Sequence, residues 1–366
     1  MTKTIFVRHG RLHYFIREVL KRLRVPAPHA SKVGDAMVAA DLAGVEGEGA
    51  SRLPFFASRI SAGLIKHAPD IKILLEEREA TAVVDGDNGM GHVVGARSME
   101  IALELARKYG VAAVATRHSN DFGMAGYYAR LALAEQMIGI VVSNAAPAMI
   151  PTYGTTPMLG SNPIAIAIPA AEDEAPYLLD VATTVSSRAS LEDALRRKEK
   201  LPPGLALDES GEPTRSPKVA LSAMKLLPLG SAPESGSHKG YGLALAVDIL
   251  AGVLSGGSFG RQLIGADGKH QDVAGIGHFF IVIRLDAFSP WLRFRNRIKD
   301  MLRQLTKAPA QGAPRIYYPG EAEFAIDQER RVTGIPLDPG VASNLQGLAR
   351  SLDMRDAWDH LVEGKK

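Results

Sequence analysis

The 366-residue chain has no cysteine, which excludes disulfide frameworks, thiolate metal sites and cysteine nucleophiles. It also lacks a long apolar run. A membrane-spanning helix needs about 18 consecutive apolar residues, and the closest stretch, Leu243 to Leu254, is broken by Asp248. Neither sign of charge dominates: 43 basic residues stand against 40 acidic ones, a formal net charge of +3. That balance is too even to argue for nucleic acid or a membrane as partner. Met1 to Gly10 holds no apolar core of signal-peptide length, so the expected compartment is the cytoplasm. No internal repeat is visible, and no metal site is expected.

What is present is ordinary globular composition, 46% apolar and 23% charged, on a chain long enough for one large or two medium domains. Residues 11–45 read as two amphipathic helices. Leu12, Phe15, Ile16, Val19, Leu20 and Leu23 recur at helical spacing, and after Pro26 and Pro28 a second stripe follows with Val33, Ala36, Met37 and Ala40. A glycine-bearing acidic loop, Glu46 to Gly49, leads to Arg52-Leu53-Pro54 and a further helical piece near Phe55 to Leu64.

Beyond residue 75 the pattern changes. Ala80 to Val84 reads as a strand, ending in the turn-rich Asp85-Gly86-Asp87-Asn88-Gly89-Met90-Gly91 before a helix over Val93 to Tyr109. Further strands are expected at 111–116, 138–143, 163–169, 176–181 and 278–285, and a helix buried on most sides at 239–254. Strands alternating with helices predict an α/β layer, spaced too irregularly for a clean doubly wound sheet. Ser289 and Pro290 read as the cap and first turn of another helix. Its stripe holds Trp291, Phe294, Ile298, Met301, Leu302 and Leu305, with a basic face that reads as solvated. A last helix is expected near 340–352.

Four segments could carry chemistry, of which Tyr317-Tyr318-Pro319-Gly320-Glu321 is either a tight turn near a ligand or merely a turn. Gly86-x-x-Gly89-x-Gly91-x-x-x-Gly95 sits where a phosphate-binding turn would lie, but its spacing fits the dinucleotide fingerprint poorly, and glycines allowing positive φ in a tight turn are the plainer reading. Ser237-His238-Lys239-Gly240-Tyr241-Gly242 places a lysine beside glycines ahead of a helix, either a phosphate ligand or an exposed lysine in a loop. Arg117-His118-Ser119-Asn120-Asp121-Phe122-Gly123 follows a strand, where ionisable groups serve active sites or are merely solvated.

Taken in order, nine segments resemble one family along nearly the whole chain. They are Ala40 to Gly44, Ser51 to Pro54, Asp85 to Gly89, Phe122-Gly123, Gly160 to Pro163, Asp180 to Thr184, Leu207-Asp208 through Pro213-Thr214, His238 to Leu243, and Tyr318 to Glu321. The chain is similar to the type 2 malate/L-lactate dehydrogenases, a family that includes ureidoglycolate and sulfolactate dehydrogenases and diketogulonate and piperideine-2-carboxylate reductases. The resemblance implies a mixed α/β, non-Rossmann fold of the sulfolactate dehydrogenase type. Residues 1–75 with 289–366 would form a helical domain from the chain ends, and residues 76–288 a cofactor-binding domain. It further implies a homodimer, NAD or NADP as cofactor, and a small-molecule substrate. Cofactor contacts would fall on Ala182, Thr183, Thr184, His238, Lys239, Pro319, Gly320 and Glu321. Arg52 would sit near the substrate, where a guanidinium suits a 2-oxo carboxylate.

The chain departs from the family pattern at the proton-transfer positions. Glu48 and Asp121 stand where the resemblance places histidines, with His118 three residues from the second, and Ser190 stands in place of a lysine. Catalysis would then fall to Glu48, Asp121 and His118. An isolated carboxyl titrates near pH 4 and is a poor acid at neutral pH, which leaves three readings. The two carboxylates repel, so that one keeps its proton and serves 2-oxo acid reduction. Or the substrate is an imine that carries its own positive charge. Or the chain is a weak or inactive member that retains nucleotide binding as a regulatory module. Glu48 and Arg52, four residues apart, could also be a plain helical ion pair.

Overall fold

The fold is described by a computed structural model covering residues 4–171, 174–267 and 272–363. β1 (Ile5–Val7) leads into α1 (His9–Arg22), which buries Leu12, Phe15, Ile16, Val19 and Leu20 along the expected stripe. α2 (Ala27–Leu42) follows, with Pro26 at its cap and Pro28 in its first turn, where no helical N–H partner is needed. Two 3₁₀ turns, Glu46–Glu48 and Ala50–Arg52, connect to α3 (Leu53–Ser61).

The central run is β2 (Lys72–Arg78), β3 (Thr81–Asp85), α4 (Gly91–Tyr109), β4 (Val111–Ser119), α5 (Ala125–Leu131), β5 (Met137–Ser143), β6 (Ile164–Ile168) and β7 (Tyr177–Val181). A small lobe follows: α6 (Arg188–Arg197), β8 (Ala206–Leu207), β9 (Pro213–Thr214), α7 (Pro217–Ala223) and β10 (Lys225–Leu226), its three strands forming their own sheet. Then come α8 (Ser237–Asp248), β11 (Ile276–Arg284), α9 (Trp291–Lys307), α10 (Glu321–Thr333), β12 (Ile335–Leu337), α11 (Pro339–Ser351) and α12 (Arg355–Val362).

Seven strands make the main sheet in the order β2-β3-β4-β11-β5-β6-β7. β3 and β4 are parallel and joined by α4; the other neighbours run antiparallel. β11 therefore arrives late in the chain to fill the centre. Side chains alternate between faces along a strand, so His278, Phe280 and Val282 share one face of β11 and all three are buried. One core packs α4 and α5 on the sheet through Met99, Ala102, Tyr128, Val141 and Phe280. Another is built from the chain ends, with Leu12, Phe15 and Phe56 beside Ile335, Leu345 and Trp358.

Three local expectations are corrected. The helix of residues 239–254 is not buried on most sides: α8 and the π-turn after it leave Leu243, Ile249, Val253 and Leu254 about half exposed (46%, 47%, 53% and 56%). α9 begins at Trp291 with Pro290 at the cap position and no side-chain cap, so Ser289 does not serve as one. In the glycine-rich turn after β3, positive φ falls on Asp87 and Asn88, not on the glycines. The glycines are there for close approach instead. A Cβ on Gly91 would lie 2.1 Å from the Asn120 carbonyl oxygen.

Candidate active site

The acidic turn between α2 and α3 is shaped by a buried carboxyl. Asp41, near the end of α2, accepts the Ala50 N–H at 2.9 Å, and a Cβ on Gly49 would lie only 2.0 Å from its Oδ1. Only glycine fits there. Burial, with the neighbouring Glu46 carboxylate, pushes the Asp41 carboxyl up to about 7, against the pull of the Ala50 N–H and Arg330. Arg330 of α10 grips the outer side of the turn through the Asp41 carbonyl and the Glu46 carboxylate. The turn so held presents Glu48 and Arg52 to one cavity.

That cavity measures about 440 Å³ and lies between the 47–55 turn, the 121–123 loop after β4, the 143–148 segment after β5, and the start of α6. Arg52 crosses it to bind Asp121, Nη2 to Oδ2 at 2.8 Å, with the guanidinium 4.3 Å from the Phe55 ring centroid. Glu48 and Arg52 are therefore not a closed helical pair; Arg52 is spent on Asp121. Burial works against the Asp121 carboxylate, but Arg52, the Gly123 N–H at 2.9 Å and His92 outweigh it and hold the carboxyl below its ordinary range. Glu48 takes the opposite course. Burial first, and then the Asp121 charge, push it up to about 8 against the pull of Arg52. One carboxyl thus keeps its proton at neutral pH while its neighbour stays ionised.

The 121–123 loop rests on an aromatic stack. Phe122 lies parallel to His278 (4.2 Å, 7°) and to Tyr128 (4.7 Å, 17°), and the Tyr128 hydroxyl donates to the Phe122 carbonyl at 2.6 Å. His278 has a serine hydroxyl on each ring nitrogen, Ser143 at 2.9 Å and Ser119 at 2.8 Å, and burial holds it neutral, down to about 3. The cavity also takes in Arg188 and Glu192 of α6. Nothing in the sequence pattern marks His278, His92, Arg188 or Glu192. For His278 the signal available was its place on a buried strand, where an ionisable residue needs a reason.

His118 goes elsewhere. It sits at the end of β4 with φ +51, its Nδ1 2.9 Å from the Asp85 carboxylate and its side chain half exposed, outside the cavity lining. The Asp85 carboxylate, also paired with Arg117, draws it to the far side of the strand end. The structure thus brings Glu48, Asp121 and Arg52 together and leaves His118 out.

The expected cofactor residues gather at the β7 edge and the start of α8. Thr183 donates its N–H and its hydroxyl to the Ser161 carbonyl (2.8 and 2.9 Å) and accepts the Leu229 N–H at 2.9 Å; Thr184 donates to Ser186 at 2.6 Å. Their polar atoms are committed to framework, while Ala182 beside them is partly exposed. Pro319 accepts the Leu178 N–H at 3.0 Å, and Gly320, at φ +98, allows that approach: a Cβ there would lie 2.7 Å from the Leu178 nitrogen. The Glu321 carboxylate accepts the Tyr318 N–H and pairs with Arg315, both at 2.9 Å. His238 and Lys239 are exposed in the first turn of α8. None of these residues lines the cavity. The cavity is of a size for the reacting end of a nicotinamide nucleotide, and Lys239 puts an exposed ammonium in the first turn of α8, where a helix N-terminus favours phosphate.

The sequence profile of the malate/L-lactate dehydrogenases matches residues 7–346. The chain belongs to that family. It is 40% identical over 346 residues to a malate dehydrogenase of Pyrococcus abyssi, covering 94% of each chain. It is 38% identical over 340 residues to an L-sulfolactate dehydrogenase of Methanocaldococcus jannaschii, covering 93% of this chain and 95% of the relative. The crystal structure of malate dehydrogenase from Entamoeba histolytica superposes with a TM-score of 0.92 at 34% identity, covering 96% of this chain and 99% of that one. The mixed-sheet, sulfolactate dehydrogenase-like fold is therefore established, and with it a nicotinamide-dependent dehydrogenase. No helix among the described residues is long and apolar enough to cross a membrane.

Proposed function

We propose that this dehydrogenase moves a hydride between NAD(H) or NADP(H) and a small 2-oxo acid, with Glu48 as the proton donor and acceptor. The observation that carries the reading is the division of protons in one cavity: Glu48 raised to about 8 beside an ionised Asp121 held by Arg52. Reduction of a ketone leaves an alkoxide that needs a proton, and a carboxylic acid still protonated at neutral pH can give it. Arg52 offers the substrate carboxylate two parallel N–H donors. The nicotinamide, when bound, supplies or accepts the hydride. We assign Lys239 to its phosphate, and Ala182, Thr183, Thr184, Pro319 and Gly320 to further contacts with it.

A related imino acid is the second substrate class, for which the Asp121 and Glu192 carboxylates of the cavity offer partners to a cationic iminium. An iminium already carries the proton, so Glu48 would be dispensable for it. The exposed apolar face of α8 and residues 249–254 supports a homodimer, the second copy covering that face.

The test is a screen of 2-oxo acids and cyclic imino acids with NADH and with NADPH, repeated across pH. Oxo-acid reduction is expected to fall as pH rises through about 8, where Glu48 loses its proton, and oxidation of the 2-hydroxy acid to rise over the same range. Binding of either nucleotide with no turnover of any substrate would sink this reading and favour a regulatory module.

A further inference from the structure

His92, in the first turn of α4, is buried to 1% exposure, and neither ring nitrogen has a hydrogen-bond partner. A neutral imidazole carries one donor and one acceptor, and a buried polar group left unsatisfied is costly enough to need an explanation. The ring packs edge-on against Phe56 at 4.9 Å, which fixes it in place. Its Nε2 faces Gly123: a Cβ on that glycine would lie 3.1 Å from it, and 3.4 Å from the Glu48 carbonyl oxygen. Gly123 lines the cavity and donates its N–H to Asp121. The free imidazole nitrogen thus lies directly behind the Asp121–Gly123 loop.

This placement matters because Arg52 has two claims on it. It holds Asp121 Oδ2 at 2.8 Å. A substrate carboxylate that takes Arg52 leaves Asp121 with only the Gly123 N–H. With Glu48 protonated, the cluster of Arg52, Asp121 and His92 is neutral, and an added carboxylate brings one uncompensated negative charge into a partly buried site. The charged and titratable groups facing His92 are Asp121 after β4, Arg52 ahead of α3 and His278 on β11. His278 is held neutral more deeply, down to about 3, and both its nitrogens already have serine partners. Both nitrogens of His92 have none.

We propose that His92 is a positioning residue that takes a proton from solvent and becomes the partner of Asp121 when Arg52 turns to a substrate carboxylate. Resting on the 2-oxo acid reading, it makes binding of that substrate class proton-coupled, and it distinguishes a plain oxo acid from a zwitterionic imino acid, which brings its own compensating charge. Burial and the Arg52 charge hold His92 neutral, down to about 4, against the pull of Asp121. Substrate binding removes the second of these opposing influences and strengthens the attraction.

The test uses oxamate, a non-reducible isostere of a 2-oxo acid, added to the full-length protein with NADH or NADPH bound. Calorimetry in two buffers of different ionisation enthalpy reads the protons taken up. The expected result is roughly one proton per oxamate at about pH 6, with affinity falling about tenfold per pH unit. Ring-nitrogen NMR of ¹⁵N-histidine-labelled wild-type protein should show one imidazole becoming protonated on binding. Glu48→Gln should keep the uptake. His92→Gln, which can hydrogen-bond but not titrate, and Asp121→Asn should lose it. Oxamate binding without proton uptake, or unchanged uptake in His92→Gln, overturns this inference alone. Failure of oxamate to bind with either nucleotide overturns the 2-oxo acid reading and this inference with it.

Discussion

Two regions of the molecule are built on different principles. The steric side, β7 with residues 319–321 and α8, lies outside the cavity lining and is held by backbone: Thr183 is tied to Ser161 and Leu229, and Gly320 lets residues 318–320 close against Leu178. Its constraints are steric. The electrostatic side, from Asp41 to Arg52 and from Asp121 to Gly123, is held by ionisable groups packed against one another and presents Glu48, Arg52 and Asp121 to the cavity. A steric wall tolerates almost any chemistry beside it, whereas an electrostatic wall sets the protonation states on which chemistry depends. On the proposed assignment, nucleotide binding belongs to the first region and proton transfer to the second, so the two could change independently.

The sharpest way to break this comparison is Glu48→Gln. The amide keeps shape and removes the proton, so oxo-acid reduction is expected to drop by about 100- to 10,000-fold, the ordinary worth of a positioned acid. Nucleotide binding, read by quenching of nicotinamide fluorescence, should not move. A loss of both together would mean that the two sides are one unit. Any iminium substrate should lose far less, because it needs no proton from the protein.

Gly320→Ala probes the steric side. At φ +98, with the Leu178 nitrogen and Pro176 carbonyl oxygen each 2.7 Å from the new Cβ, the substitution should destabilise the protein by about 1–3 kcal/mol. It should also weaken nucleotide binding, while the pH at which reduction falls stays where wild type has it. A shifted pH profile would show that the backbone edge tunes Glu48 after all. Lys239→Ala should have a smaller effect still, about tenfold on nucleotide affinity, with greater losses at low salt.

The asymmetry also explains what could be read in advance. Part of the fold was legible: the strands β3, β4 and β5 and the helix α4 fell close to their expected bounds because hydrophobic periodicity reports local burial, while the short α5 was not expected. Gly320, Thr183 and the Asp180 to Thr184 run stood out only through the family resemblance. The carboxylates at 48 and 121 could be named, but not which would keep its proton. That depends on Arg52 choosing Asp121, a contact across 69 residues of chain. His92 was hidden inside a segment read as a turn, and His118 drew attention only by proximity in sequence to Asp121. The exposed face of α8 escaped because apolar composition predicts burial without saying against what.

The mildest test concerns Asp41, which belongs to the electrostatic side yet touches nothing in the cavity. Its folded carboxyl sits at about 7, above its ordinary 3.8, so the folded state binds this proton more tightly than the unfolded one. Its contribution to stability is complete below about pH 4 and is lost as pH rises through about 7. Asp41→Asn retains an oxygen for the Ala50 N–H but carries no charge. Thermal denaturation should therefore show the variant gaining on wild type as pH increases from about 4 to 8, with little difference at the acid end. If wild type instead gains on the variant as pH rises, Arg330 must hold Asp41 ionised, and the turn carrying Glu48 would be set by an ion pair rather than by a neutral buried carboxyl.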